Sequence, residues 1–164
     1  MEKERLEYTV NRLDHYYDSV NNKTAVYIGI NTIITGGAIA LTTQIQEILG
    51  LELWLQLLIA AIIGFGLLSL MILAWASIPY LDSKKKIDSL YYFGAIAEMK
   101  RKEFFEASEN MDKKESLKDL RNQVFEMSRG LKRKFLKLKW VGRLLIVQFI
   151  ILTLFTMLLI KTIY

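Results

Sequence analysis

Three long apolar runs constrain this 164-residue chain more than any other feature. They cover residues 25–45, 53–81 and 140–160, and none of them contains Asp or Glu. An α-helix rises about 1.5 Å per residue, so about 20 residues cross the roughly 30 Å hydrocarbon core of a bilayer. The sequence therefore predicts an all-α integral membrane protein with three transmembrane helices.

The charged residues are distributed unevenly around these spans. Residues 43–56 carry two acidic side chains and no Lys or Arg, whereas residues 82–143 carry seventeen Lys or Arg and ten acidic side chains. By the positive-inside rule the basic segment is cytoplasmic, which places the N-terminus inside and the C-terminus outside. The first 22 residues are too polar for a signal peptide, so the first span is expected to be retained.

Outside the spans, apolar residues recur at steps of three and four, as on one face of a helix. In the N-terminal segment they are Leu6, Val10, Leu13, Tyr17 and Val20. In the basic segment they are Leu117, Leu120, Val124, Met127, Leu131, Phe135 and Leu138. Two such faces predict helices that pack against partners.

The predicted organisation has four parts: a cytoplasmic amphipathic N-terminal helix (1–24), a two-helix transmembrane hairpin (25–81), a cytoplasmic basic helical domain (82–139) and a third transmembrane helix (140–164). Within the basic domain we expect one helix over about residues 82–108 and a turn at Glu109 and Asn110. Asp112 and Glu115 then form a capping box that starts a helix continuing into the third span, about 45 residues in all.

Little in the sequence favours an enzyme. The chain has no cysteine and a single histidine, His15, so the usual metal-ligand clusters cannot form, and no cofactor is predicted. Gly-rich phosphate loops and nucleophile elbows are also absent from the sequence. Glu103 and Glu106 are paired carboxylates on a charged helix, which is typical of a solvated face.

A run of seven cations without an acid occupies residues 129–143. One interpretation is that this run sets topology and attracts anionic lipid headgroups. The other is a phosphate site, in which a helix repeated by oligomer symmetry forms an electropositive cleft and two tyrosines stack on bases. The candidate nucleotide-binding residues are Arg129, Lys132, Arg133, Lys134, Lys137, Tyr91 and Tyr92.

Polar side chains interrupt the first and third spans. Asn31 and Thr35 lie one turn apart on one helical face, and Gln148 lies in the third span. One interpretation is packing by interhelical hydrogen bonds, aided by the small pairs Gly36 with Ala40 and Ala60 with Gly64. The alternative is that Asn31, Thr35 and Gln148 line a pore when protomers assemble.

Three segments resemble the small transmembrane effectors of Pycsar antiphage systems. The first is Asp18-Ser19-Val20-Asn21-Asn22-Lys23-Thr24-Ala25, followed by Asn31 in the span. The second is Tyr92-Phe93-Gly94-Ala95-Ile96-Ala97 with Glu103-Phe104, and the third is Asp119-Leu120 with Gln123, Ser128, Lys134 and Trp140. They occur in the family's order across nearly the whole chain.

This resemblance implies a homo-oligomer in the bacterial inner membrane that permeabilises the membrane in response to a nucleotide from a partner cyclase or nucleotidyltransferase. In the related Hailong systems, the signal is an oligonucleotide that keeps a membrane channel shut. The long basic helix suits a cyclic nucleotide or an oligonucleotide. The alternatives are a scaffold or adaptor whose apolar helix faces bind a protein partner, and a transporter subunit.

Overall fold

The computed structural model describes residues 1–78 and 89–163, apart from the side chains of Leu49 and Leu51. All regular secondary structure in these two ranges is helical. The helices are α1 (Glu2–Gln44), α2 (Gln46–Leu51), α3 (Leu53–Ser77), α4 (Phe93–Glu98), α5 (Arg101–Asn110) and α6 (Lys113–Ile163). The prediction of an all-α chain is confirmed in these ranges.

Three of the helices, α1, α3 and α6, are long and apolar enough to cross a membrane, as predicted. The first and third are longer than a bilayer requires, because each continues a polar helix into a span: α1 has 43 residues and α6 has 51. The span predicted over 53–81 is helical to Ser77, and residues 79–81 lie outside the described part of the chain.

The chain forms two compact units. Unit 1 contains Met1–Ser19 and Pro79–Arg133, and unit 2 contains Val20–Ile78 and Lys134–Tyr164. In unit 1 the start of α1 packs along α6, where the Tyr17 hydroxyl donates a hydrogen bond to the Met127 carbonyl at 2.9 Å. Most of both predicted apolar faces are buried or half-buried within the protomer, whereas Phe135 is exposed.

Unit 2 packs the three apolar helices around two clusters of buried side chains. One cluster contains Ala38, Leu55, Ile59, Ile62 and Phe155. The other contains Leu73, Leu138, Val141 and Leu145. Both join residues from different helices, so side-chain packing among α1, α3 and α6 holds this unit together.

The helix predicted over about 82–108 is wrong in its described part. Residues 89–92 form a turn, α4 ends at Glu98, and α5 begins at Arg101. The break occurs because the Glu103 carboxylate accepts the Lys100 backbone N–H at 3.1 Å and so caps the start of α5. Residues 82–88 of the predicted helix, including Ile87, lie outside the described residues.

The turn expected at Glu109 and Asn110 lies slightly later. Both residues end α5, and the chain breaks at Met111 and Asp112. The Asp112 carboxylate accepts the Glu115 backbone N–H at 2.6 Å, which is one of the two hydrogen bonds of the predicted capping box and caps the start of α6. From there α6 runs without interruption, as the sequence indicates.

Candidate functional site

The basic run of α6 begins in unit 1 with three exposed cations, Arg129, Lys132 and Arg133. The Arg129 guanidinium lies 5.6 Å from the Phe125 ring centroid and 3.9 Å from the Glu126 carboxylate. Because exposed ion pairs at this separation are weak, Arg129 can exchange its partner for a stronger anion. These three side chains therefore offer solvent-facing positive charge.

Two of the cations that follow in unit 2, Lys134 and Lys137, are half-buried and engaged with their neighbours. Lys134 donates a hydrogen bond to the Asn21 side-chain oxygen at 3.0 Å. The Lys137 ammonium donates to the Trp75 carbonyl at 3.3 Å and lies 4.3 Å from the centroid of the Trp75 ring. These contacts fix the lysine stems against α1 and α3, as expected for long side chains at a membrane boundary.

The candidate stacking residues Tyr91 and Tyr92 belong to the turn before α4. The Tyr91 hydroxyl shares a 2.8 Å hydrogen bond with that of Ser116, and Tyr92 lies 5.2 Å from Phe93, ring centroid to ring centroid. A Cβ on Gly94 would approach the Tyr92 ring to 2.6 Å, so glycine permits this ring position. The contacts that hold these two tyrosines thus come from Ser116 and Phe93, which lie outside the basic run.

The turn before α4 is tied to α6 through backbone groups. Ser89 is buried, and its hydroxyl accepts the N–H groups of Tyr91 and Tyr92 at 3.3 and 3.1 Å. The buried Asp119 carboxylate accepts the Leu90 N–H at 2.8 Å. Two segments of the sequence resemblance, around Tyr92 and Asp119, are thus joined in unit 1 by a part-buried hydrogen bond.

Asn31, Thr35 and Gln148, the candidate pore-lining residues, form one hydrogen-bonded group in unit 2, which we call the polar node. The Thr35 hydroxyl donates to the Asn31 side-chain oxygen at 3.1 Å. The Gln148 amide donates to the Thr35 hydroxyl at 3.3 Å and to the Ile62 carbonyl at 3.0 Å. Asn31 and Gln148 are 0% exposed, so the protomer closes the node to solvent.

The polar node is incompletely satisfied. Three buried atoms lack a hydrogen-bond partner among the described residues: Asn31 Nδ2, Gln148 Oε1 and the hydroxyl oxygen of Ser69. A buried polar group without a partner costs about 1–3 kcal/mol. Gly66 and Ser69 lie on the same buried face of α3, one turn apart. These unpaired groups place an energetic cost inside unit 2.

Gly66 of α3 allows α1 and α6 to approach at the polar node, and it was not among the predicted site residues. A Cβ on Gly66 would overlap the Thr35 hydroxyl and lie 2.7 Å from Gln148 Nε2. By contrast, a Cβ on Gly36 or Gly64 would meet nothing within 4 Å, so the predicted small pairs do not pack helices together within the protomer. The sequence feature that could have identified Gly66 is the spacing of Ile62, Gly66 and Ser69, which places them on one face of α3.

The surroundings of Tyr17 and Glu2 in unit 1 shift the pKa values of both side chains. Burial raises the pKa of the Tyr17 phenol, with a smaller contribution from the Asp14 charge, so Tyr17 stays neutral and keeps its proton for Met127. Arg121 forms two hydrogen bonds to the Glu2 carboxylate, at 2.9 and 2.8 Å, and these lower the pKa of Glu2.

The comparisons with known proteins give one family match. The Pycsar effector protein domain, PycTM, matches residues 5–161, a range that includes the polar node, the basic run and the turn before α4. No curated protein and no solved structure matches the chain.

His15 is exposed on α1, and the described residues contain no group of three side chains suited to a metal ion.

Proposed function

Because the chain belongs to the Pycsar effector protein family, we propose that it is a nucleotide-gated ion channel or pore. In this proposal it depolarises or permeabilises the bacterial inner membrane. The family match confirms the predicted resemblance and makes the chain an antiphage membrane effector of a family that is not enzymatic. The observation that carries the proposal is a match over residues 5–161, together with three helices suited to a bilayer.

The proposed signal is a phosphate-bearing ligand, a cyclic nucleotide from a partner cyclase or an oligonucleotide from a nucleotidyltransferase. The family implies a cyclic nucleotide, and the exposed cations Arg129, Lys132 and Arg133 support a phosphate contact on α6. Lys134 and Lys137 extend the same run towards the third span. Tyr91 and Tyr92 remain candidates for base stacking if an assembled protein brings them to the ligand.

The proposed coupling element is α6. This helix carries the basic run, and after it Gln148 of the polar node, without interruption. A ligand that binds one conformation more tightly than another shifts the population towards that conformation. A preference of about 3 kcal/mol changes the ratio of two states more than a hundredfold.

We place the conduction path at the polar node of a homo-oligomer. In the described protomer Asn31, Thr35 and Gln148 bond to one another, so this arrangement corresponds to a closed state at that level. Opening requires Asn31, Thr35 and Gln148 to exchange these hydrogen bonds for contacts with water or ions. Amide side chains form such contacts, whereas an apolar side chain such as leucine does not.

The proposed orientation follows from charge. Residues 43–56 lack Lys and Arg, so they face outside, and both the N-terminus and the basic domain face the cytoplasm. Reporter fusions after Asn22 and after Tyr164 are expected to lie on opposite sides of the inner membrane. Fusions on the same side would contradict three crossings.

A scaffold or adaptor is the second candidate function. Large aromatic side chains of unit 1 are exposed, with Phe93 at 68% and Phe125 at 59%, and such residues often mark protein contacts. Under this alternative, the basic run binds only anionic lipid headgroups. Nucleotide binding would then be absent at every salt concentration.

A binding experiment separates the two functions. The parent protein is titrated in nanodiscs of neutral lipid with the four cyclic mononucleotides and a short oligodeoxyadenylate at several salt concentrations. Replacing Arg133, Lys134 and Lys137 by Gln is expected to abolish binding and its salt dependence. The matched control replaces Lys113, Lys114 and Lys118, three exposed cations of the same helix, and should bind as the parent does. Equal loss in both variants, or no binding by the parent, would contradict a site in the basic run.

A further inference from the structure

The unpaired atoms of unit 2 come from three different membrane helices. Asn31 Nδ2 belongs to α1, the Ser69 hydroxyl to α3 and Gln148 Oε1 to α6, and all three residues are 0% exposed. One of these atoms is a hydrogen-bond donor, one is an acceptor, and the hydroxyl can be both. The helices approach one another closely here, because a Cβ on Gly66, one turn from Ser69, would meet both Thr35 and Gln148. Together the three atoms offer bonds to a small molecule that both donates and accepts.

The orientation of the two amides follows from their partners. The Ile62 carbonyl can only accept, so the Gln148 atom 3.0 Å from it is the nitrogen. Gln148 also donates to the Thr35 hydroxyl, which leaves the Thr35 proton for the Asn31 oxygen. This relay turns Gln148 Oε1 and Asn31 Nδ2 away from their bonded partners, and both remain unpaired.

We propose that the polar node binds resident water, which bridges these unpaired atoms inside the protomer. Buried waters in proteins typically make about three hydrogen bonds to polar groups that lack other partners. A metal cation fits less well, because the Asn31 amide presents a donor and the membrane runs contain no carboxylate. The water site does not depend on nucleotide gating, since a closed protomer needs it as much as an open one.

The direct test is magnetisation transfer from water, measured by solid-state NMR on the full chain in lipid bilayers without any nucleotide. Transfer is expected at the Asn31 and Gln148 side-chain amides. The control is the methyl group of Ala38, which lies two turns after Asn31 on the same face and is also buried. Transfer at the two amides no faster than at Ala38 would overturn the proposal.

Thermal unfolding provides an independent test of the bound water. If water bonds the Ser69 hydroxyl, Ser69→Ala removes a satisfied group and is expected to lower Tm by about 2–4 °C. If the hydroxyl is dry, the same substitution removes an unpaired group and leaves Tm unchanged or higher. The matched control is Ser77→Ala on the same helix, where the hydroxyl bonds to the Leu73 carbonyl at 2.9 Å. A Tm for Ser69→Ala at or above that of the control would contradict resident water.

Discussion

Unit 1 and unit 2 treat their buried polar groups differently. In unit 1 the buried Asp119 carboxylate and Ser89 hydroxyl accept backbone N–H groups of the turn before α4, which stabilises that turn. In unit 2 the buried amides of Asn31 and Gln148 bond to a hydroxyl and a carbonyl, and each keeps one atom unpaired. Unit 1 thus satisfies these buried polar groups with its own backbone, whereas unit 2 leaves two amide atoms without a partner among the described residues.

The largest effect is expected from crowding the polar node. Gly66→Leu places a side chain where Thr35 and Gln148 meet, and overpacking of this kind typically costs about 1–3 kcal/mol. Unit 2 should lose stability while the protein still inserts into the membrane. Thermal unfolding in detergent, followed by circular dichroism, measures the change.

The matched control for this substitution is Gly64→Leu. Gly64 lies on the same helix, is exposed, and has nothing within 4 Å of an added Cβ. Its Tm should stay close to that of the parent protein. Equal losses at the two positions would mean that the close approach at Gly66 does not limit unit 2.

A smaller effect is expected from the buried tie of unit 1. Asp119→Ala leaves the Leu90 N–H without its acceptor, at a cost of about 1–3 kcal/mol. Hydrogen exchange should accelerate in residues 89–98, while exchange in the spans stays slow. Asp119→Asn keeps a side-chain oxygen and should recover part of the protection.

The exposed residue Glu126 provides the control for that prediction. Glu126→Ala removes a carboxylate from the same helix, and its one ion pair, with Arg129, is long. Exchange in residues 89–98 should match that of the parent. Acceleration equal to that of Asp119→Ala would contradict a specific role for the Asp119 carboxylate.

The smallest effect is expected from the exposed contact between Glu2 and Arg121. Hydrogen bonds from Arg121 lower the pKa of Glu2, so the contact stabilises unit 1 above the unfolded-state pKa and is lost as pH falls through the lowered value. The Tm difference between the parent and Arg121→Gln should be small near neutral pH and vanish in acid. A difference that grows in acid would contradict this assignment.

Periodicity predicts much of this fold. Runs of apolar residues indicate the three membrane helices, and steps of three and four indicate that α6 continues from a polar helix into a span. The break between α4 and α5 was missed because it depends on a local cap, in which the Glu103 carboxylate accepts the Lys100 N–H. Helical periodicity does not report such a cap.

The candidate site could be predicted only in part. Asn31 and Thr35 were identifiable as one polar face because they are a single turn apart. Thr35 contacts Gln148, which lies 113 positions later in the chain. Local spacing in the sequence does not indicate a pairing between residues so far apart. Gly66 escaped notice for the same reason, since its neighbours lie on other helices.

The most direct test of the gated-channel account is membrane depolarisation by the purified protein. Proteoliposomes with a potential-sensitive dye are exposed to the four cyclic mononucleotides and a short oligodeoxyadenylate, using the parent, the Gln variant of Arg133, Lys134 and Lys137, and Asn31→Leu. The account predicts that one nucleotide changes ion flux in the parent, that the Gln variant does not respond, and that Asn31→Leu binds normally but conducts less. Parent-like flux and binding in both variants would contradict it.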